Sequence, residues 1–523
     1  MRSVFTALSI LLSVVIARGD GAVILHPGSF KGYIDRFNEG DEELYAGAIR
    51  NSNAWAFLRD NMPLFECPDK TLEEVYYFRW WTYRKHIKET PDGYIVTEFF
   101  PDVPWAGKDN SISCAAALHF YEGRWLREGR YLDDYAVFWL RKGGSVRSYS
   151  FWIADALWNR CLVSGDWGEV KELLPDLLAN YHEWEKSHLG SEGLFWQIDD
   201  RDGMEMPIGD LNYKPAYRPT INSYMFAEAR AIAHIADLAK ERGLADEFRA
   251  KAAKIKQLVQ ERLWDKDARF FKVLSIRPGA KLASGRELIG YTPWYVNMLD
   301  PGFEEAWRQI MDTNGFHAPF GPTTAERRSP QFKLSYEGHE CQWNGPSWPF
   351  STSIMLTAMA NLLDNYRQNA VTREDYLDLL EIYARSQHLK RDDGQIVPWI
   401  DEDLNPLTGD WMARTIMKRQ GNGIRERGKD YNHSTFCDLI ITGLVGLRPR
   451  PDDTVEVKPL APEGRWDYFC LDNVRYHGHN LTIVYDKTGQ HYGGGKGLRI
   501  LADGKEIAKT GALSRITGLL PKP

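Results

Sequence analysis

From about Glu42 to Leu447 apolar residues recur three and four positions apart in one segment after another, the spacing that puts them on one face of a helix. Residues 112–123, 148–165, 170–189, 222–243, 246–264, 348–366 and 373–387 follow this pattern and predict helices joined by irregular loops. Ser223, just inside the start of one segment, and Gly243 at its end fit ordinary helix punctuation. In series these segments read as helical hairpins. The stretches near 91–110, 191–220, 313–347 and 391–431 are long and chemically rich, which suggests hairpins closing into a ring with its functional loops at one end. After Gly446 the pattern changes. A Pro-rich link, LRPRPDDTVEVKPLAP, leads into WDYFCLD, VRYHGHNLTIVYD, KGLRILADG and KEIAK, short alternating runs broken at Asp-Asn, Asp-Gly and Gly-Gly pairs. The expected organisation is a helical domain over 22–447 and a small β-sandwich over 448–523.

The first 21 residues carry Arg2, an apolar run from Val4 to Ile16 and small residues near Ala17, the make-up of a cleaved export signal, so the mature protein is expected in the periplasm or outside the cell. No later stretch approaches the ~20 apolar residues of a spanning helix. Lys and Arg total 65 against 72 Asp and Glu, a net charge of −7 that offers no footprint for nucleic acid and leaves a small or neutral partner. Nineteen Trp, 25 Tyr and 23 Phe bring aromatics to 13%; a large core explains part of this and rings that stack on sugar faces would explain the rest. The six Cys are scattered without a paired spacing, so neither a metal site nor a disulfide framework is indicated, and no cofactor is expected.

Two acidic stretches stand out within the long loops. Residues 199–210 read DDRDGMEMPIGD and residues 396–411 read IVPWIDEDLNPLTGDW; each mixes carboxylates with Gly, Pro and large side chains. Together they offer the two carboxyl groups that hydrolysis of a glycosidic bond requires, with Glu205 and Glu402 as the candidates. Asp202 or Asp200 could hold the acid role instead, although Asp200, like Asp199, Asp401 and Asp403, taken singly reads more readily as a loop or capping residue. Trp105 and Asp109, in the loop FFPDVPWAGKDN, set a hydrogen-bonding group beside an aromatic, as hydroxyl recognition needs. Arg218 and Asn222 open the helix after the first acidic loop, and Tyr291 lies in GYTPWYVNM; packing or capping explains these three as well as substrate contact does.

The loop Asp202-Gly203-Met204-Glu205, the tract WNGPSWP at 343–349 and the Glu-x-x-x-Pro-x-Thr-Gly stretch from Glu402 to Gly409 occur here in an order that resembles the six-hairpin glycosidases. Within these the likeness is to glycoside hydrolase family 63, its mannosylglycerate-hydrolase-like relatives and β-L-arabinofuranosidase-type domains. The resemblance implies a mainly α fold, an (α/α)6 toroid, and an inverting hydrolase acting on an oligo- or polysaccharide. It makes Glu205 the general acid and Glu402 the general base. Family 63 usually carries Asp where this chain has Glu205. The resemblance further implies a sugar subsite lined by Arg79, Trp80 and Trp81, and by Trp343, Asn344 and Trp348, although the family's WRGPxW-type tract has Arg where Asn344 stands. A sugar-binding protein without catalysis, or a lyase or epimerase on the same ring, are the other classes. An epimerase would favour paired His and a lyase a Tyr or His base, whereas a binding protein would keep the Trp and lose the carboxyl pair.

Overall fold

A computed structural model describes residues 24–45, 47–209, 211–421 and 423–522; the expected export signal lies outside them. Helices dominate up to Leu444 and strands thereafter. The helices are of two kinds. In Lys70–Lys85, Pro219–Leu238 and Pro349–Asn365 nearly every side chain is buried. By contrast Arg242–Arg262 buries one stripe, Ala245, Phe248, Ala252, Ile255, Leu258 and Val259, at the spacing of a helix with one wet face. Pro219–Leu238 packs against this partner after a turn at Lys240, whose φ is 66°. A helix buried all round carries no amphipathic signature, and its polar groups must find internal partners.

The predicted helices recur with shifted ends, and the shifts have local causes. The segment expected at 222–243 runs Pro219–Leu238: Arg218 is extended and Pro219 takes the first helical position, where its missing N–H costs nothing. Gly243 belongs to the next helix, near its start, and does not end this one. The helical region also begins earlier than Glu42, with Lys31–Glu39.

The strands after Gly446 form two antiparallel sheets. One joins Leu447–Arg448, Thr454–Val457 and Ile516–Leu519; the other has five strands, of which four follow in sequence from Tyr468–Tyr476 to Lys505–Thr510. Its fifth strand comes from far upstream. Leu64–Glu66 pairs with Tyr468–Tyr476 in the register Phe65 opposite Leu471, so the sheet begins inside the helical part of the chain. The hairpin tip at His477 also docks on the helices: its backbone N–H donates to the Val163 carbonyl at 3.0 Å, at the end of helix Ile153–Ser164. One continuous apolar core runs through both regions. Among the described residues no helix is long and apolar enough to cross a membrane.

Phe65 is fully buried at this junction. Phe65→Ala is expected to cost about 3–5 kcal/mol and to lower one shared unfolding transition. Far-ultraviolet circular dichroism and tryptophan fluorescence would follow it; two separated transitions would show that the sheet and the helices are independent.

Candidate active site

The loop that carries Glu205 is bent by contacts that admit few alternatives. After the helical turn Asp200–Asp202 the chain passes through Gly203 at φ 74°, where a Cβ would stand 2.4 Å from the Cys114 sulfur. The Met204 N–H returns to the Asp199 carbonyl at 3.0 Å, and the Glu205 carbonyl accepts from the Trp343 N–H at 3.0 Å. Asp202 anchors the loop from below, accepting from Arg218 Nε at 2.6 Å and from the hydroxyls of Ser150 and Thr220. It is fully committed and does not line the cavity, which removes it as an alternative acid. Asp200 remains on the cavity wall, with one buried oxygen unpartnered.

Glu402 is held by different means. Its segment pairs with the WNGPSWP tract through the Ser347 and Leu404 backbones, at 2.9 and 3.0 Å. Asp403 caps the helix Met412–Gln420, accepting from the Ala413 N–H. Buried Asp401 accepts from the Glu402 N–H at 3.0 Å and lies so close to Gly428 that a Cβ there would stand 1.8 Å from its carboxylate. The Glu402 carboxylate accepts from Arg427 Nε at 2.8 Å on one oxygen and from the Cys341 thiol at 3.2 Å on the other. Arg427 also donates to Glu340 at 2.8 Å, and its guanidinium lies 5.3 Å from the Trp105 ring centre.

Glu205 and Glu402 face one cavity of about 300 Å³, with Trp105 and Trp348 on its walls. A third buried carboxyl, Glu98, faces it as well; Tyr431 donates to one of its oxygens and the other makes no hydrogen bond among the described residues. Burial pushes Glu205 up to about 7 from the ordinary carboxyl value, helped by the charge of Glu402; its own backbone N–H only partly offsets this. Burial likewise pushes Glu98 up to about 8, with the charges of Glu402 and Glu205 acting in the same sense and the Tyr431 hydroxyl opposing them. Such a site can hold a carboxylic acid and a carboxylate side by side near neutral pH.

A family model for the mannosylglycerate hydrolase MGH1-like glycoside hydrolase domain matches residues 108–434, which include Glu205, Glu402 and Arg427. The chain belongs to that family. In this MGH1-like chain a second model, for the C-terminal domain of glycosyl hydrolase family 65, matches residues 447–508. A solved structure titled "Sialidase" is 44% identical with a TM-score of 0.88, covering 94% of this chain and 45% of that one. A GH78 family rhamnosidase of Bacillus sp. GL1 is 12% identical with a TM-score of 0.55, over 84% of this chain and 42% of that one. An α-L-rhamnosidase from Dictyoglumus thermophilum is 12% identical with a TM-score of 0.51, over 82% and 43%. The MGH1-like chain thus spans less than half the length of each of these proteins, and the two rhamnosidases are similar to it in fold alone.

Most of the other expected site residues lie away from the cavity, for reasons of packing. Arg79 is a core strut on a helix buried all round, donating to Gln387 at 3.1 Å and to the Ser434 carbonyl at 2.7 Å. Trp80 packs edge-on against Tyr76 and Tyr83, and Trp81 donates to Asn38 beneath the Lys85 ammonium. Asp109 sits in a left-handed turn whose carbonyl accepts from Lys88. Arg218 is spent on Asp202; Asn222 brackets the Phe195 backbone; Tyr291 donates to the Ala306 carbonyl. Trp343 stacks at 4.7 Å on Trp348, and the Asn344 backbone pairs with Lys333. Residues that sequence reasoning missed take the vacated places: Glu98, Tyr149, Glu340, Cys341, Arg427 and Tyr431. Their signal was adjacency, since Glu98 directly precedes the FFPDVPW loop and Cys341 nearly abuts WNGPSW.

The raised Glu205 makes a stability prediction with a definite sign. Its stabilising contribution is full below the unfolded value near 4.5 and is lost as pH rises through about 7. Glu205→Gln should therefore raise the thermal midpoint relative to wild type by at least ~2 °C at pH 8 and by less at pH 5. Calorimetry at the two pH values decides it, and an equal shift at both would contradict the assigned environment.

Proposed function

We propose that this chain hydrolyses an O-glycosidic bond of a neutral sugar by a single displacement, with Glu205 as general acid and Glu402 as general base. The observation that carries the reading is the pair of unlike environments on one cavity: Glu205 is desolvated and shifted to about 7, while Glu402 is ion-paired to Arg427. In the step, the Glu205 proton goes to the leaving oxygen as the anomeric carbon–oxygen bond breaks. Water attacks the same carbon from the opposite face, giving its proton to Glu402. The thiol on the second Glu402 oxygen is a weak donor, so a water can take its place. Inversion is supported by the order of the sequence motifs that resemble the inverting family. An (α/α)6 ring is supported by the alternation of fully buried and single-faced helices.

Charge supports the neutral sugar. The cavity is lined by Glu98, Asp200, Glu205, Glu340 and Glu402 against Arg201, His339 and Arg427, and Arg427 already holds two carboxylates. A sugar carboxylate would find little free positive charge here. The name "Sialidase" on the 44% identical structure concerns a protein more than twice as long, and Arg427, the buried cation of this cavity, is already spent on Glu402 and Glu340 rather than free for a sialic acid.

Hydrolysis of aryl glycosides by the wild type, Glu205→Gln and Glu402→Gln tests this, with the product anomer read by NMR. Each variant should lose roughly 10²–10⁴-fold in kcat. Because Glu205 must be protonated to act, kcat/KM should fall as pH rises through about 7, and any residual activity of Glu205→Gln should lack that limb. Release of a retained anomer would overturn single displacement, and preference for sialosides or uronides would overturn the neutral sugar.

A further inference from the structure

Glu98 is the one cavity carboxyl for which the proposed reaction has no use. It is buried, 4% exposed, on the stretch between the hairpin ending at Val96 and the loop with Trp105. Its backbone is fixed, since the Glu98 carbonyl accepts from the Asn432 N–H at 3.1 Å. Its side chain is fixed on one side only, where the Tyr431 hydroxyl donates to Oε1; the Tyr431 ring is itself stacked on His433 at 3.8 Å. Oε2 is buried and makes no hydrogen bond of ordinary geometry among the described residues, although the Ala115 N–H lies close enough to favour the charged carboxylate.

Glu228 also leaves a buried oxygen unpartnered but does not line this cavity, so it is the place of Glu98 on the cavity wall that sets it apart. Glu122, also buried, has both oxygens occupied by the backbone N–H groups of Phe436, Cys437 and Asp438. A buried polar atom left unbonded at a cavity wall costs stability, and a ligand that completes the bond removes the cost. Charge decides which partner suits it. Glu98 shares the cavity with Glu205 and Glu402, has Tyr431 on one oxygen, and lies near enough to the acidic groups Cys114, Tyr149 and Tyr135 to perturb them; of the cations on the same cavity, Arg201, His339 and Arg427, none is among the groups that shift Glu98, and Arg427 is spent on Glu402 and Glu340. Burial and the neighbouring carboxylates therefore keep the proton on Glu98 up to about pH 8, past the nearby Ala115 N–H that works against them. With Oε1 accepting from Tyr431, Oε2 is the oxygen left to carry the carboxyl proton, on a side chain that lines the cavity.

We infer that Glu98 is a substrate-binding and specificity-determining residue that acts as a neutral hydrogen-bond donor, its Oε2 hydroxyl meeting an oxygen of the sugar held between Glu205 and Glu402. Tyr431 is the positioning residue that turns the donor toward the cavity. The inference rests on the glycosidase reading of the same cavity. It sets the chemistry of one contact: the sugar oxygen in front of Glu98 acts as an acceptor, and a sugar that lacks it is rejected.

The test uses the whole chain, neutral aryl glycosides for rate, and the matching free monosaccharides for affinity in the Glu205→Gln background, where the acid's own titration is absent. Glu98→Ala should lower kcat/KM at least about tenfold, the loss expected for one substrate hydrogen bond. Glu98→Gln, whose amide donates from the same place while its carbonyl accepts from Tyr431, should recover part of that loss. Wild-type Glu98 in this background should lose affinity as pH rises through about 8, and Glu98→Gln should not. Glu98→Ala within twofold of wild type, while Glu205→Gln is dead, would overturn this inference and leave the glycosidase reading intact. So would a Glu98→Gln loss as deep as that of Glu98→Ala, since the group would then be acting as a carboxylate. A wild type that neither hydrolyses nor binds any neutral sugar would sink both readings. Should Glu98→Ala fail to fold, wild-type minus Glu98→Gln infrared difference spectra at pH 7 decide: a protonated carboxyl band that moves when sugar binds is required, and its absence overturns the assignment.

Discussion

The cost of taking carboxylates out of water governs this molecule around its cavity. Glu98, Asp200, Glu205, Glu340 and Glu402 face a space of about 300 Å³, and in a low dielectric like charges at such range cannot all stay ionised without a counter-charge. Two solutions are used side by side. Arg427 neutralises Glu402 and Glu340 through charge-assisted hydrogen bonds, whereas Glu205 and Glu98 keep their protons longer. The proposed division into acid and base thus follows from where the well-placed Arg427 falls. Breaking a buried pair of this kind typically costs about 3–5 kcal/mol, so that arginine also bears on stability.

The walls that make this possible are thin and shared. Segments 399–402 and 425–431 separate the cavity from a larger cleft of about 640 Å³ lined by Asp41, Lys85, Arg414, Glu426, Lys429 and Asp430. That cleft is bigger, yet it lacks Glu205 and Glu402, and its charges are largely spent on one another: Lys85 and Lys429 on Asp41, and Arg414 on Glu426. Size is therefore a poorer guide to chemistry here than unspent polar groups are. Gly428 lies against Asp401, where the lack of a Cβ lets the loop bearing Arg427 come close to the loop bearing Glu402.

Much of this was legible in the chain, and the failures share a cause. Helices with one wet face announce themselves by period, and Glu205 and Glu402 sit in loops whose Gly, Pro and acidic residues serve no helix. Arg79, Trp80 and Trp81 misled because a helix buried on every side gives no sign of which residues face a ligand. Asp202 misled because a carboxylate spent on Arg218, Thr220 and Ser150 looks, in sequence, like a free one. Glu98 and Tyr431 meet across 333 positions, and no local pattern encodes that meeting. The same holds for Leu64–Glu66, three residues whose strand identity exists only because Tyr468–Tyr476 lies beside them.

The proton inventory ties these parts together. In the proposed displacement Glu205 gives up a proton and Glu402 gains one, so the negative charge crosses the cavity without changing in amount. That transfer would strand Arg427 if Glu402 were its only partner, because a buried guanidinium that loses its carboxylate is costly. Glu340 prevents this: it keeps one carboxylate on Arg427 while Glu402 is neutral, and Arg427 is in place to receive the Glu402 charge again when the proton leaves. Glu98 on the same cavity feels both charges, that of Glu402 ahead of that of Glu205, so the transfer exchanges one neighbouring carboxylate for the other. The proton on Glu98 thus has a negative neighbour both before and after the proposed displacement.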